Sequence, residues 1–262
     1  MKKFFLITQY LQYILKAKSA HGVHSPFVFD FIHDVLKDKR HYYAFDAIRQ
    51  LRQAMYQDET LLQIEDFGAG SHKQNHQQRK VKDIARTAGR NEKFGQLLFR
   101  IVNKYKPQNI LELGTSMGLG TSYLALANGE SKVVSIEGSP EIASQASAHF
   151  AKLNIQNVIQ KVGNFDKVLV DVLNEMQHVD LLFVDGNHRM KPTLQYFNEA
   201  KPYLHPASIV IFDDIHWSEE MHEAWQQIKN DTSVKCSIDL FYFGIVFFQT
   251  EFKEKQDFVL KY

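Results

Sequence analysis

The stretch Ile110-Leu-Glu-Leu-Gly-Thr-Ser-Met-Gly-Leu-Gly120 constrains this chain more than any other. It begins as a short apolar run, Asn109 to Leu113, which reads as a buried parallel strand. It then breaks into three glycines, Gly114, Gly118 and Gly120, and continues as an alanine-rich helical run, Tyr123-Leu-Ala-Leu-Ala127, that stops at Asn128-Gly129. Strand, glycine turn and helix form the layout of a nucleotide-type cofactor site. Glycine lets the backbone approach a ligand, and a helix N-terminus offers free N–H groups.

The surroundings must say which cofactor such a turn serves. A length of 262 residues allows one large domain with a helical extension. The net charge of +1 gives no global pull toward nucleic acid or membrane. A single cysteine, Cys236, excludes an internal disulfide framework and a cysteine-built zinc site, and the expectation is a reducing, cytoplasmic compartment. The opening Met1-Lys-Lys-Phe-Phe-Leu-Ile has the outline of a secretory leader, but Gln9, Gln12 and Tyr13 interrupt its apolar run, so an amphipathic helix is expected there. No stretch reaches the roughly 18 apolar residues that a membrane span requires.

In chain order, residues 4–16 carry Leu6, Ile7, Tyr10, Leu11, Ile14 and Leu15 at helical spacing. Ser25-Pro26 reads as the start of a second helix with Phe27, Phe31, Ile32 and Leu36 on its apolar face, and a third is expected from Tyr43 to about Tyr56. A second glycine motif follows, Ile64-Glu-Asp-Phe-Gly-Ala-Gly-Ser71. Residues 72–93 behind it hold seven Lys/Arg against two acids, with no second strand ending in an acid, so 64–93 is expected to be a polar loop and short helix, either a lid or a plain surface loop. From Gly95 onward, helices alternate with apolar runs at 109–113, 132–137, 158–162, 179–185 and 208–214. A final pair, near 234–240 and 241–249, is spaced as an antiparallel hairpin. The division expected is a helical N-terminal extension, 1–94, and an α/β domain, 95–262.

In an open parallel sheet, ligands sit beyond the carboxyl ends of the strands. The residues placed there are Gly114–Gly120, Glu137, Asn164–Phe165, Asp185–His188 and Asp213–His216. Glu137 ends the strand that follows the glycine turn, where a carboxylate can accept both hydroxyls of a ribose. The spacing Gly-x-x-x-Gly-x-Gly differs from the Gly-x-Gly-x-x-Gly that a dinucleotide pyrophosphate needs. His21 with His24, and His72 with His76, have metal-like spacings but no cysteine or acid cluster to complete a site.

Glu112-Leu-Gly-Thr-Ser-Met-Gly-Leu-Gly120, Glu137 and the closing hairpin resemble class I S-adenosylmethionine (SAM)-dependent methyltransferases. Leu111–Gly118, Phe183-Val-Asp-Gly-Asn-His188 and Ile211-Phe-Asp-Asp214 resemble the catechol-O-methyltransferase-like bacterial O-methyltransferases, over roughly residues 95–250. His21-Gly-Val-His-Ser-Pro-Phe27 and Glu65–Ser71 resemble bacterial SAM-dependent methyltransferases of unassigned substrate. The resemblance implies a Rossmann-like, seven-stranded, mostly parallel sheet with an antiparallel last strand and helices on both faces. It implies that Glu112, Gly114, Thr115, Ser116, Gly118 and Gly120 hold the methionine part of SAM, with Glu137 and Gly138 at the ribose and Asn164 and Phe165 beside the adenine. Asp185 is a further cofactor-side candidate.

In the catechol-type relatives, acids after the fourth and fifth strands bind Mg²⁺. The matching Asp185, Asp213 and Asp214 are candidate ligands here, against a reading in which they bond backbone or SAM without metal. His188 stands where those relatives carry a catalytic lysine, a departure that leaves a histidine as candidate general base beside Asp185. His216 and Trp217 are candidates for the acceptor pocket.

The function expected is therefore methyl transfer from SAM to a hydroxyl, or an amine, of a small molecule. Two alternatives stand beside it. A SAM-binding protein or methyltransferase acting on a macromolecule could contact phosphate through Lys73, Arg79, Lys80 and Arg86. An NAD-dependent oxidoreductase is disfavoured by the glycine spacing. The apolar N-terminal helix covers either its own core or a second copy in a homodimer.

Overall fold

The computed structural model describes residues 2–65, 76–87 and 92–262. Met1, Gly68 and Gly70 of the second glycine motif, His72, Lys73 and Arg90 lie outside the described residues. The N-terminal third is helical as the spacing predicts, with α1 (Lys2–Lys16), α2 (Pro26–Phe31) running into a π-turn at Ile32–Leu36, and α3 (Tyr43–Met55). Pro26 opens α2 because its fixed φ suits the first helical position, where no N–H is needed.

The segment 64–93, expected to be a polar loop and short helix, contains the helix and also one strand and the end of another. β1 (Leu61–Glu65) and β2 (His76–Lys80) pair antiparallel in a separate two-stranded sheet, with Leu62 opposite Arg79, and α4 (Val81–Thr87) follows. β2 is polar throughout, so its sequence carries no strand pattern; its backbone pairing with β1 places it.

The alternating region supplies α5 (Glu92–Tyr105), β3 (Asn109–Leu113), α6 (Leu119–Ala127), β4 (Lys132–Glu137), α7 (Pro140–Lys152), β5 (Val158–Val162) and α8 (Phe165–Met176). It continues with β6 (Leu181–Val184), α9 (Met190–Ala200), β7 (Ile209–Phe212), α10 (Glu219–Asn230), β8 (Cys236–Asp239), β9 (Gly244–Phe247) and β10 (Gln256–Val259). The strands from β3 onward make a mixed, mostly parallel sheet of eight, not the seven expected. The additional strand is β10, a half-buried edge segment with only Phe258 and Val259 as apolar residues. The antiparallel strand is β9, and it is not the last in the chain.

Two compact units divide the chain: Phe31–Val168, and Met1–Asp30 with Leu169–Tyr262. In the first, β3, β4 and β5 are parallel neighbours, with Leu111 opposite Val134 and Ile136 opposite Lys161. β3 and β4 are buried over nearly their whole length, the near-continuous apolar run of strands covered on both faces. α5 and α3 pack on α6, and Phe45, Phe99 and Tyr42 form an aromatic cluster there.

In the second unit the order is β6, β7, β9, β8, β10, with β9 antiparallel to both of its neighbours and β10 parallel to β8. Gly244 lets β9 approach α10, since a Cβ there would lie 2.7 Å from the Trp225 ring. α10 is capped by Ser218, whose Oγ accepts from Met221 N at 3.2 Å. One side of α1 packs through Tyr13 and Ala17 on Phe241, and the Tyr13 hydroxyl donates to Leu260 O at 2.6 Å.

Candidate active site

All the expected cofactor residues except Asp185 fall in the Phe31–Val168 unit, where hydrogen bonds to backbone groups tie the turn together. Gly114 N and Thr115 N both donate to Ile136 O of β4, at 2.9 and 3.2 Å, which ties the glycine turn to the neighbouring strand. Three residues of the turn have left-handed backbone: Gly114 at φ 107°, Ser116 at 47° and Gly118 at 78°. Gly118 is also the N-cap of α6, and a Cβ on it would meet the Phe150 ring at 2.7 Å, so two constraints require glycine there. Gly120 lies inside the first turn of α6.

Glu137 closes the turn from the side. One carboxylate oxygen accepts from Ser116 N at 2.8 Å and the other from Ser139 N at 3.0 Å. Burial pushes the Glu137 pKa up, while the N–H groups of Ser139, Ser116 and Gly138 pull it back down. Gly163 N donates to Glu137 O at 2.9 Å, which brings the Asn164–Phe165 corner alongside. Asn164 Oδ1 accepts from Asp166 N at 2.9 Å and so caps α8.

Glu112 sits deeper than the sequence suggests, 1% exposed. Its Oε2 accepts from Thr121 Oγ1 at 2.5 Å and Ser135 Oγ at 2.6 Å, and Ser135 and Thr115 share a further hydroxyl contact at 2.5 Å. Burial raises its pKa to about 7 against the opposing effect of those two hydroxyls. This hydroxyl–carboxylate cluster links β3, β4, α6 and the turn. Sequence reasoning missed Thr121, Ser135 and His149. Ser135 was the readable sign, a hydroxyl inside the apolar run Val133-Val134-Ser135-Ile136. His149 is buried with its Nδ1 3.0 Å from Met117 O, where it secures the middle of the turn, and burial lowers its pKa.

The expected catalytic and metal residues fall in the other unit. His188 lies within ion-pair distance of two acids, with Nε2 3.6 Å from Asp185 Oδ1 and Nδ1 4.0 Å from Asp214 Oδ2. All three groups are part-exposed. The backbone is strained here: Asn187 at φ 66°, His188 at 33° and Asp214 at 59°, the kind of cost that accumulates at functional sites. Asn187 Nδ2 donates to the Tyr196 hydroxyl at 3.0 Å, which holds the loop before α9.

Asp213 is buried, and its Oδ1 accepts from Asp214 N at 2.7 Å. The structure does not gather Asp185, Asp213 and Asp214 into one ligand set. Among the described residues no three His, Cys, Asp or Glu side chains make a group that could hold a metal.

His216 is not a pocket-lining side chain. It is 6% exposed, with Nε2 2.8 Å from Asp239 Oδ2 and Nδ1 3.0 Å from His222 Nδ1, and it stacks on Phe241. This His222–His216–Asp239 chain, joined to the hairpin by Phe241 N donating to Asp239 Oδ1, fixes the segment after β7. Trp217 beside it is 50% exposed.

The fold is shared with solved methyltransferase structures. Residues 111–215 match the family model described as "Methyltransferase domain". Among known proteins, the chain is similar to a "Probable O-methyltransferase" of Mycobacterium tuberculosis, 32% identical over 130 residues, covering 46% of this chain and 55% of that protein. It is also similar to a catechol O-methyltransferase of Niastella koreensis, 27% identical over 128 residues, covering 47% of this chain and 55% of that protein. The chain thus spans about half the length of these curated relatives. Among solved structures, the S-adenosylhomocysteine (SAH)-bound Podospora anserina methyltransferase PaMTH1 shares the fold, with a TM-score of 0.60 and 13% identity over 87% of this chain and 97% of that one.

Proposed function

We propose that this chain is an enzyme that transfers a methyl group from SAM to a hydroxyl oxygen of a small molecule. The observation that carries the reading is the Glu137–glycine-turn assembly, in which a strand-end carboxylate, a left-handed turn and the start of α6 are bonded together. Its chemistry fits SAM. The Glu137 carboxylate accepts backbone N–H groups and keeps acceptor capacity for a ribose hydroxyl. Glu112, Gly114, Thr115, Ser116, Gly118 and Gly120 would hold the methionine end, Gly138 the ribose side, and Asn164 and Phe165 the adenine side. Bound SAM supplies a methyl group already activated on a sulfonium.

The chain then has to align the acceptor, exclude water and take one proton. A ring nitrogen of His188 would accept the acceptor's hydroxyl proton, and Asp185 and Asp214 would hold the ring and stabilise the charge it gains. Asp185, Asp213 and Asp214 do not fit Mg²⁺ as a set, so no step runs through a cation. Within this reading residues 95–262 carry the transfer machinery and residues 1–94 influence acceptor choice.

Incubation with SAM and a panel of phenols and catechols tests the proposal. Methyl ether and SAH should form in equal amounts, unaffected by EDTA. His188→Gln should cut kcat by roughly 10²–10⁴-fold with little change in KM for SAM. A panel left untouched while RNA is methylated, or turnover that stops with EDTA, would contradict it.

A further inference from the structure

α1 has two apolar sides. Tyr13 and Ala17 face inward onto Phe241. The other side carries Phe4, Ile7, Leu11, Ile14 and Leu15, all exposed, with Leu11 at 57% and Leu15 at 86%. Tyr10 lies at the boundary, half-exposed with its ring edge-on to Phe241, and Gln12 and Lys16 are the other exposed positions among residues 4–16. A helix in contact with water alone does not present five large apolar side chains on one side, so this face has a partner.

Charge selects among partners. Lys2, Lys3, Lys16 and Lys18 are the charged Lys, Arg, Asp or Glu residues before Asp30, and no acid is among them. The remainder of the chain then holds 27 basic against 30 acidic side chains, so the positive excess is concentrated in this segment. Lys18 and Lys261 are both exposed and joined by Lys261 N donating to Lys18 O at 3.0 Å, which adds a third lysine beside Lys16 at the C-terminal end of the helix. The opposite end, where Phe5 meets the His222 ring edge-on, has Glu219, Glu220 and Glu223 on the contacting helix α10. The basic weight therefore lies at the Leu11–Lys18 end.

The spacing of Phe4, Ile7, Leu11 and Ile14 would also suit a helix seam. A second copy of α1 brings lysines and no acid to the flanking positions, so neither orientation gains a cross-helix ion pair. A surface of negative charge over hydrocarbon matches both properties. At 15 residues the helix is too short to span a bilayer, and its apolar side with basic residues at its end suits a helix lying in the interface.

We propose that the outer face of α1, with Lys16, Lys18 and Lys261 at its C-terminal end, docks on an anionic phospholipid bilayer. Apolar side chains would enter the headgroup boundary while the lysines meet anionic headgroups.

Flotation of the full chain with vesicles tests this. The protein should float with phosphatidylcholine vesicles containing phosphatidylserine and stay largely unbound with phosphatidylcholine alone, and high salt should release it. The double variant Leu11→Gln/Leu15→Gln should lower binding at least about tenfold with unchanged far-ultraviolet dichroism and melting temperature, because both side chains are exposed. Lys16→Gln/Lys18→Gln should lower it as well. Failure to bind the anionic vesicles, equal binding to both kinds, or a solution dimer that Leu11→Gln/Leu15→Gln dissociates would overturn the proposal.

Discussion

Glu112 shows how one buried carboxylate ties folding to ligand chemistry. Its folded-state pKa of about 7 lies above the ordinary 4.5, so the folded chain holds this proton more tightly than the unfolded one. The stability it contributes is complete below about pH 4.5 and is lost as pH rises through about 7, on the order of 3 kcal/mol in total. Urea unfolding of the ligand-free protein should show wild type losing stability relative to Glu112→Gln between about pH 5 and pH 7.5. A difference between the two that does not change with pH would contradict this placement of the carboxylate.

The same residue marks a limit of sequence reading. Glu112 was legible as part of the glycine motif, but its burial beneath the turn, against Thr121 and Ser135, was not, because contacts across strands leave no local pattern. His188 beside Asp185 was legible from spacing alone. That its ring stands between Asp185 and Asp214 depends on the left-handed backbone at Asn187 and His188, which ordinary side chains do not announce.

At the scale of elements, legibility follows hydrophobic pattern. β3, β4, β6 and β7 are apolar runs buried along most or all of their length, and the sequence places each within about two residues. β2, His-Gln-Gln-Arg-Lys, and β10, Gln-Asp-Phe-Val, have no such pattern and form through pairing with β1 and β8. The same reasoning misread His216, whose neighbours in sequence suggested a pocket while its side chain is committed to Asp239 and His222.

The glycine turn is the element with the sharpest test. At Gly118, alanine would meet both a left-handed backbone and the Phe150 ring, so Gly118→Ala should cost about 1–3 kcal/mol in thermal or urea unfolding. Gly129 has open space where a Cβ would go, and Gly129→Ala should change stability much less. Equal costs at the two positions would contradict the geometry of the turn.

At the scale of the molecule, the chain combines a methyltransferase fold with an N-terminal helix whose outer side is apolar and whose charge is entirely basic. The fold class was legible because strand, glycine turn, helix and a strand ending in an acid follow one another over residues 109–137. The eighth strand was not legible, since it is set by long-range pairing. The central claim is that Glu137 and the glycine turn form a SAM site. Titration calorimetry with SAH tests it most directly. Wild type should bind one SAH per chain, and Glu137→Gln, with dichroism showing it folded, should bind at least tenfold more weakly, about 1.4 kcal/mol or more. Folded wild-type protein that binds neither SAH nor SAM would contradict the account.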